Sequence, residues 1–233
     1  MMAEGARPRP MAGREQPTRA KASQLASLHV ATHPLVAVRL TMLRSRQTDA
    51  PRFRALLGEL TTLIAYEALA DLALTDAPIE TPLEAMVGAR LAEPLAIVPI
   101  MRAGLAMVEP LLHLLPEARV WHLGLYRDEE TLRPVPYYNR TMRSGQAAHC
   151  IVVDPMLATG GSAISAVELV KEIGAERITY IGIVAAPYGA TQLAAAHPDV
   201  AIYVGALDRE LNEQGYIRPG LGDAGDRVFH TSD

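Results

Sequence analysis

One stretch limits the possible folds more than any other: Cys150-Ile151-Val152-Val153-Asp154-Pro155-Met156-Leu157-Ala158-Thr159-Gly160-Gly161-Ser162, followed by Ala163 to Gly174. A β-branched run ends in a carboxylate, a loop of small residues follows, and Ile164, Val167, Leu169 and Val170 then recur among polar residues. That order predicts strand, loop and helix. Thr159-Gly160-Gly161-Ser162 lets backbone N–H groups converge without interference from Cβ atoms, at a helix N-terminus whose unpaired donors and dipole favour an anion. Asp154 falls at the carboxyl end of the strand, where open α/β sheets bind ligands and where a carboxylate can accept hydrogen bonds from sugar hydroxyls. The stretch suits a ribose phosphate. It also suits an ordinary β–α turn with a small-residue helix start, and the rest of the chain has to separate the two.

The remaining 233-residue chain offers several more elements of the same kind. Leu95-Ala96-Ile97-Val98-Pro99-Ile100 reads as a strand, Met101-Arg102-Ala103-Gly104 as a turn, and Leu105 to Leu115 as a helix closed by Pro116. Arg102 therefore lies at the carboxyl end of a second strand, where its planar fork suits phosphate oxygens. A single loop arginine can equally be solvated, so its weight comes from sharing a sheet edge with Asp154. Arg119 to Leu125 reads as another strand. It leads into a polar excursion, Tyr126 to Tyr138, that predicts a β-hairpin or mobile flap carrying Arg127. Ile178 to Ala185, Gly189 to Ala196 and Val200 to Val204 continue as strand, helix and strand. Alternation of this kind predicts an α/β fold with a mainly parallel central sheet, helices on both faces and right-handed crossovers.

Upstream, Leu56, Leu57, Leu60, Leu63, Ile64 and Leu74 predict a long amphipathic helix from about Ala50 to Leu74. Pro78 and Thr81-Pro82 then open a short connection, and the sheet is expected to begin at Leu95. Residues 1–24 hold prolines and arginines with almost nothing apolar, which predicts a flexible basic extension ahead of a single domain over 25–233. At the other end, Tyr216 to Gly225 is too rich in glycine and proline to be a helix. It contains Gly220-x-Gly222-x-x-Gly225, but no strand precedes it closely and too little chain follows for a dinucleotide-binding unit. What remains is either a surface turn or a glycine-rich loop that brings backbone groups close to a flat polar ligand.

Composition narrows the partners. A formal net charge of -4 gives no electrostatic reason to expect nucleic acid, and no apolar run approaches the roughly 18 residues of a membrane span. Cys150 is the sole cysteine, so no intramolecular disulfide can form. With no hydrophobic signal core at the N-terminus, a cytoplasmic protein is expected. The seven histidines show no metal-ligand spacing, and no serine sits in a nucleophile elbow.

These residues together resemble the uracil phosphoribosyltransferases, within the type I phosphoribosyltransferases. The resemblance runs from His33 to Thr231. Its carriers are Val98 to Gly104, Tyr126-Arg127-Asp128, Asp154 to Ser162, His197-Pro198-Asp199-Val200, and Gly215-Tyr216-Ile217 through Gly220 to Arg227. Pro155 strengthens it, since related phosphoribosyltransferases usually carry a second acidic residue after the position of Asp154.

The resemblance implies that 5-phosphoribosyl 1-pyrophosphate and uracil are converted to UMP and pyrophosphate. Asp154, Pro155, Met156, Leu157, Ala158, Thr159, Gly160, Gly161 and Ser162 would hold the ribose phosphate. Arg102 and Arg127 would meet the pyrophosphate. Asp223 would face the substrate or metal-bound water, and Ile217, Gly222, Asp223 and Ala224 would bind uracil. Arg102, Asp154 and Asp223 are the catalytic candidates. Mg2+ would be held mainly by pyrophosphate and water. A C-terminal hood loop, a homodimer or higher homo-oligomer, and GTP as an effector in some members come with the resemblance too. The sequence departs from the family at Ala68-Leu69-Ala70, Trp121 and Tyr188, and His230 stands where the family has a glycine. A catalytically weak, ligand-sensing protein on the same fold is the alternative, and an enzyme for another base is a further one.

Overall fold

The structure, a computed structural model, describes residues 26–122, 124–127, 134–138 and 148–231. The basic extension expected over 1–24 lies outside them.

The chain opens with a short edge strand, β1 (Leu28–Val30), and two helices, α1 (Pro34–Arg44) and α2 (Ala50–Ala68). Both helices start on a side-chain cap followed by proline. His33 Nδ1 accepts from the Leu35 N–H at 3.2 Å, and Asp49 Oδ1 accepts from the Arg52 N–H at 2.8 Å. A hairpin follows, β2 (Leu74–Glu80) and β3 (Ala85–Leu91), then β4 (Leu95–Pro99), a 3₁₀ turn (Ala103–Met107) and α3 (Val108–Leu114). Next come β5 (Arg119–Val120) and the antiparallel pair β6 (Gly124–Arg127) and β7 (Pro134–Tyr138). The second half runs β8 (His149–Val153), β9 (Met156–Leu157), α4 (Gly161–Glu172), β10 (Arg177–Ala185), α5 (Pro187–Ala196) and β11 (Ala201–Leu207). It ends with β12 (Glu210–Leu211), β13 (Ile217–Arg218) and α6 (Ala224–Phe229).

The central sheet has the order β1-β11-β10-β8-β4-β5, and every one of these pairings is parallel. Alternation along its strands feeds two cores. Leu95, Ile97, Ile151, Val153, Ile181 and Ile183 face α1, α2, α3 and α6, while Ala96, Val98, Cys150, Val152 and Tyr180 face α4 and α5. The expected α/β architecture with helices on both faces is the observed one. From β4 the chain steps outward to β5, but from β8 it steps the other way to β10 and β11. The direction therefore reverses between β4 and β8, and a crevice at their carboxyl ends is where such sheets bind ligands.

Several expected boundaries move. Helix α2 stops at Ala68 rather than Leu74, and the region read as a connection is the β2–β3 hairpin. Pro82 there occupies a turn closed by Thr81, whose hydroxyl donates to the Glu84 carbonyl at 2.8 Å and accepts from the Glu84 N–H at 3.0 Å. Pro78 sits inside β2, opposite Val87, because a two-stranded arm has an outer edge that needs no N–H. The sheet also gains β1 at its edge, upstream of the strand expected to start it. Arg119 to Leu125 is not one strand, since β5 ends at Val120 and β6 belongs to the flap hairpin. Last, Ala224 and Gly225 begin α6 inside the stretch read as non-helical. The Asp223 side chain caps that helix by accepting from the Asp226 N–H at 2.9 Å, which offsets the glycine content upstream.

Candidate active site

Asp154 and Arg102 follow the carboxyl ends of two neighbouring strands, β8 and β4. The register pairs Pro99 with Val153, and the Ile100 N–H donates to the Val153 carbonyl at 3.0 Å. The turn carrying Arg102 presses against that same carbonyl. A Cβ on Gly104 would lie 2.5 Å from the Val153 oxygen, so only glycine fits. Asp154 is partly exposed at its surface yet deeply surrounded by protein, and this burial pushes its carboxyl up to about 7. The Met156 N–H, donating to Oδ1 at 3.3 Å, opposes the shift only in part. Behind it the Tyr180 hydroxyl donates to the Asp154 carbonyl at 3.2 Å.

Beyond Asp154 the loop tightens onto α4. Gly160 adopts φ 88° and takes the N-cap position, with no side chain capping the helix. Backbone bonding of the helix starts at Ile164, whose N–H donates to the Gly160 carbonyl at 2.9 Å, so the N–H groups of Gly161, Ser162 and Ala163 have no acceptor among the described residues. These donors and the helix dipole form a site for an anion. Helix α5 buttresses the loop from the side. A Cβ on Gly189 would stand 2.3 Å from the Ala158 carbonyl oxygen and 2.8 Å from that of Leu157.

The third component is the C-terminal loop. Gly215 comes within van der Waals reach of Thr159, with its ideal Cβ 3.9 Å from Thr159 Cγ2. Gly220 and Gly222 adopt φ 61° and 81°. At Gly225 an ideal Cβ would meet Asp223 Oδ1 at 3.2 Å and Arg102 Nη2 at 3.4 Å, so the carboxylate and the guanidinium flank the same point of α6. Arg102 Nη2 donates to Asp226 Oδ1 at 3.2 Å. The Thr231 hydroxyl, donating to the same oxygen at 2.6 Å, and Arg102 hold the Asp226 carboxyl below its usual range.

Arg102, Asp154, the 155–162 loop and Asp223 are thus gathered on one side of the sheet. Arg127 ends β6, and its side chain lies outside the described residues. Ile217 is buried in β13, while Gly222, Asp223 and Ala224 follow it along the loop into α6. Sequence reasoning placed Gly104 in the Arg102 turn and Gly189 in a helix but missed their close contacts, which are visible only across neighbouring elements. It also missed Arg44 and Asp208, which hold the C-terminal loop. An arginine ending an apolar helix and an aspartate just after a buried strand were the available signals.

The comparisons with known proteins agree with one another. A model of the family described as uracil phosphoribosyltransferase matches residues 30–231. The uracil phosphoribosyltransferase of Roseiflexus castenholzii is 53% identical over 202 residues, covering 87% of this chain and 97% of its own. That of Listeria welshimeri is 50% identical over 208 residues, covering 89% and 100%. Among solved structures, the AQ2163 protein from Aquifex aeolicus superposes with a TM-score of 0.82 at 36% identity, over 88% of this chain and 99% of that one. By sequence over nearly its whole described length and by fold, the chain belongs to the uracil phosphoribosyltransferase family.

Proposed function

We infer that this chain transfers a phosphoribosyl group from 5-phosphoribosyl 1-pyrophosphate to uracil, giving UMP and pyrophosphate, within a single domain over 25–233. What supports the reading is that the unclaimed N–H groups of Gly161, Ser162 and Ala163 and the carboxylate of Asp154 follow β8 at the same end of the sheet as Arg102 follows β4, with Asp223 beside Arg102 at Gly225.

In this reading the loop from Pro155 to Ser162 takes the 5-phosphate, and Asp154 accepts from the ribose hydroxyls. Arg102 and Arg127 take the pyrophosphate. Arg102 exchanges its exposed pair with Asp226 for the ligand, and the exchange costs little because an exposed ion pair contributes at most about 1 kcal/mol. As pyrophosphate departs, N1 of the base attacks C1, and charge stabilisation of the leaving group lowers the barrier. Backbone groups at Ile217, Gly222 and Ala224 read the O2, N3–H and O4 edge, with Asp223 beside them. A wrong base leaves such groups unpaired, which discriminates more strongly than the roughly 1 kcal/mol of each matched bond.

Mg2+ fits this donor set as a substrate-borne ion. No group of three His, Cys, Asp or Glu side chains gathers among the described residues, so the ion would be carried by pyrophosphate oxygens and water, with Asp223 toward its waters. When bound it would neutralise charge on the leaving group. A homo-oligomer is supported by the β2–β3 arm, where Leu74, Leu83 and Val87 are 64%, 96% and 61% exposed. GTP as an effector rests on the family resemblance, and a cytoplasmic setting on the single cysteine.

The deciding experiment measures UMP formation from uracil and phosphoribosyl pyrophosphate with Mg2+, with and without GTP, and with cytosine and guanine as controls. Turnover with uracil alone is expected. Absence of turnover with any base, alongside tight binding of phosphoribosyl pyrophosphate, overturns the reading in favour of a ligand-sensing protein.

A further inference from the structure

The base-reading loop is not held by its own residues. At its centre Gly220 has φ 61°, and a Cβ there would lie 2.1 Å from the Ile217 carbonyl oxygen, so the turn folds sharply back on itself. Both backbone groups of Gly220 are satisfied by one ion pair from elsewhere. Its N–H donates to Asp208 Oδ2 at 2.8 Å, and its carbonyl accepts from Arg44 Nη1 at 2.8 Å. Arg44 and Asp208 are joined in turn by a two-pronged bridge, Nη1 to Oδ2 and Nη2 to Oδ1, each 2.7 Å. The four bonds close a ring around a single loop residue, between Ile217 on one side and Gly222 on the other.

The pair is nearly dry. The Arg44 side chain is 21% exposed and that of Asp208 6%. Burying two charges is a weak route to stability, because desolvation offsets most of their attraction. Such a pair earns its place more readily by fixing geometry, and here its two ends belong to rigid elements. Arg44 is the last residue of α1, and Asp208 directly follows β11, with its N–H donating to the Ala185 carbonyl at 2.7 Å. The next loop residue is tied to the same place. Arg227 donates to the Leu221 carbonyl at 2.8 Å and to the carbonyl of Ser45, the neighbour of Arg44, at 2.7 Å. None of these bonds involves Arg102, Asp154 or the 155–162 loop.

We propose that Arg44 and Asp208 are positioning residues for the base, and that they set the KM for uracil while leaving the KM for phosphoribosyl pyrophosphate essentially unchanged. This rests on the reading of Ile217 and Gly222 to Ala224 as the uracil loop.

The test is steady-state kinetics in both substrates, with thermal unfolding, on Arg44→Met, Arg44→Lys, Asp208→Asn and Gly222→Ala. Arg44→Met removes the three Arg44 bonds, one to the Gly220 carbonyl and two to Asp208, and leaves only the Asp208 bond to the Gly220 N–H. It is expected to raise the uracil KM at least about tenfold, with the phosphoribosyl pyrophosphate KM within about twofold. Arg44→Lys, which keeps the charge but not the fork, should recover part of the loss. Asp208→Asn keeps the shape and one acceptor and gives the same split if Arg44→Met fails to fold. Unchanged uracil KM in the folded variants, or both KM values rising together, overturns the proposal. Gly222→Ala separates the two levels of the argument. If it raises the uracil KM while the Arg44 and Asp208 variants do not, the positioning role alone falls; if it too leaves uracil untouched, the loop assignment falls with it.

Discussion

The two halves of the proposed site are held by opposite means. From Asp154 to Ser162 the loop is fixed by backbone geometry and close approach: Gly160 at φ 88°, the bare N-terminus of α4, and Gly189 wedged against the Ala158 carbonyl. From Ile217 to Ala224 it is fixed by charged side chains reaching across the chain, Arg44 over 164 residues to Asp208 and Arg227 over 182 to Ser45. A phosphate makes the same demand whatever base is transferred, so backbone donors, which no substitution except proline removes, would suit it. A base must be distinguished from its relatives, and side-chain tethers would allow the loop proposed to read it to be shifted by small changes far away.

Gly189→Ala is the most severe way to break the first half. Its new methyl group would have to displace backbone oxygens 2.3 and 2.8 Å away, with no flexible side chain to yield. Turnover is expected to drop by about 10²-fold through misplacement of the loop, with about 1–3 kcal/mol lost from overpacking. Kinetics should assign the loss to phosphoribosyl pyrophosphate. A loss confined to uracil would mean that the two halves are not separately built.

Asp154→Asn sharpens the same half through pH. Because burial raises the folded carboxyl to about 7 from 3.8, the folded state binds the proton more tightly than the unfolded one. Stability from this group is complete below about pH 4, falls as pH rises toward 7 and is level above it. Removing the charge should therefore stabilise the protein at pH 8 by a few kcal/mol, at most about 4 and less for the exposed part of its surface, and by almost nothing at pH 4. Turnover should fall by roughly 10²-fold or more if the carboxylate orients the ribose. Affinity of the native protein for phosphoribosyl pyrophosphate should weaken below pH 7, more steeply than in the variant, whose remaining slope belongs to the ligand phosphates. Calorimetric titration at pH 5.5 and 8 reads this directly, and equal slopes would remove Asp154 from the binding step.

That asymmetry also explains what the sequence could reveal. The strand, loop and helix around Asp154 are contiguous, and their chemistry follows from local periodicity and two adjacent glycines. The Arg102 turn was legible for the same reason. Gly189 looked like an unremarkable helix residue because its contact is with a loop about thirty positions upstream, a tertiary approach with no local signature. Arg44 and Asp208 read as ordinary charges until the fold joined them. The β2–β3 arm was missed because Pro78 and Thr81-Pro82 announced a break, and only pairing shows that one proline sits in a hairpin turn closed by Thr81 and the other lies on an edge. Likewise α6 was hidden by the glycines before it, although Asp223 is an ordinary capping residue.

Arg227→Met probes the second half with a smaller effect. The guanidinium lies 4.3 Å from the Phe53 ring centre and donates to the carbonyls of Leu221, Ser45 and Thr48. Methionine keeps the apolar stem against Phe53 and removes the bonds. The loss should be about 1–2 kcal/mol of stability, read by chemical denaturation, with a several-fold rise in the uracil KM. A change in the phosphoribosyl pyrophosphate KM of the same size would place Arg227 in both halves.

The smallest effect concerns the left-handed positions. Around the proposed phosphate loop and base loop these are filled by glycine, at Gly160, Gly215, Gly220 and Gly222, but at the end of α6 His230 takes φ 55° and ψ 51°, the one non-glycine residue with positive φ among the described residues. Its N–H still closes the helix on the Asp226 carbonyl, so the cap is made at the cost of a crowded Cβ. His230→Gly removes that crowding, worth about 1 kcal/mol, while adding freedom to the unfolded chain that offsets roughly half of it. A rise in Tm of a few degrees with unchanged kinetics is expected, since His230 touches neither proposed substrate site. A fall in Tm would mean that the histidine side chain contributes packing that outweighs its backbone strain. A shift in the uracil KM would show that α6 transmits the conformation of its last residue back to Asp223, making the base half of the site sensitive at both its ends.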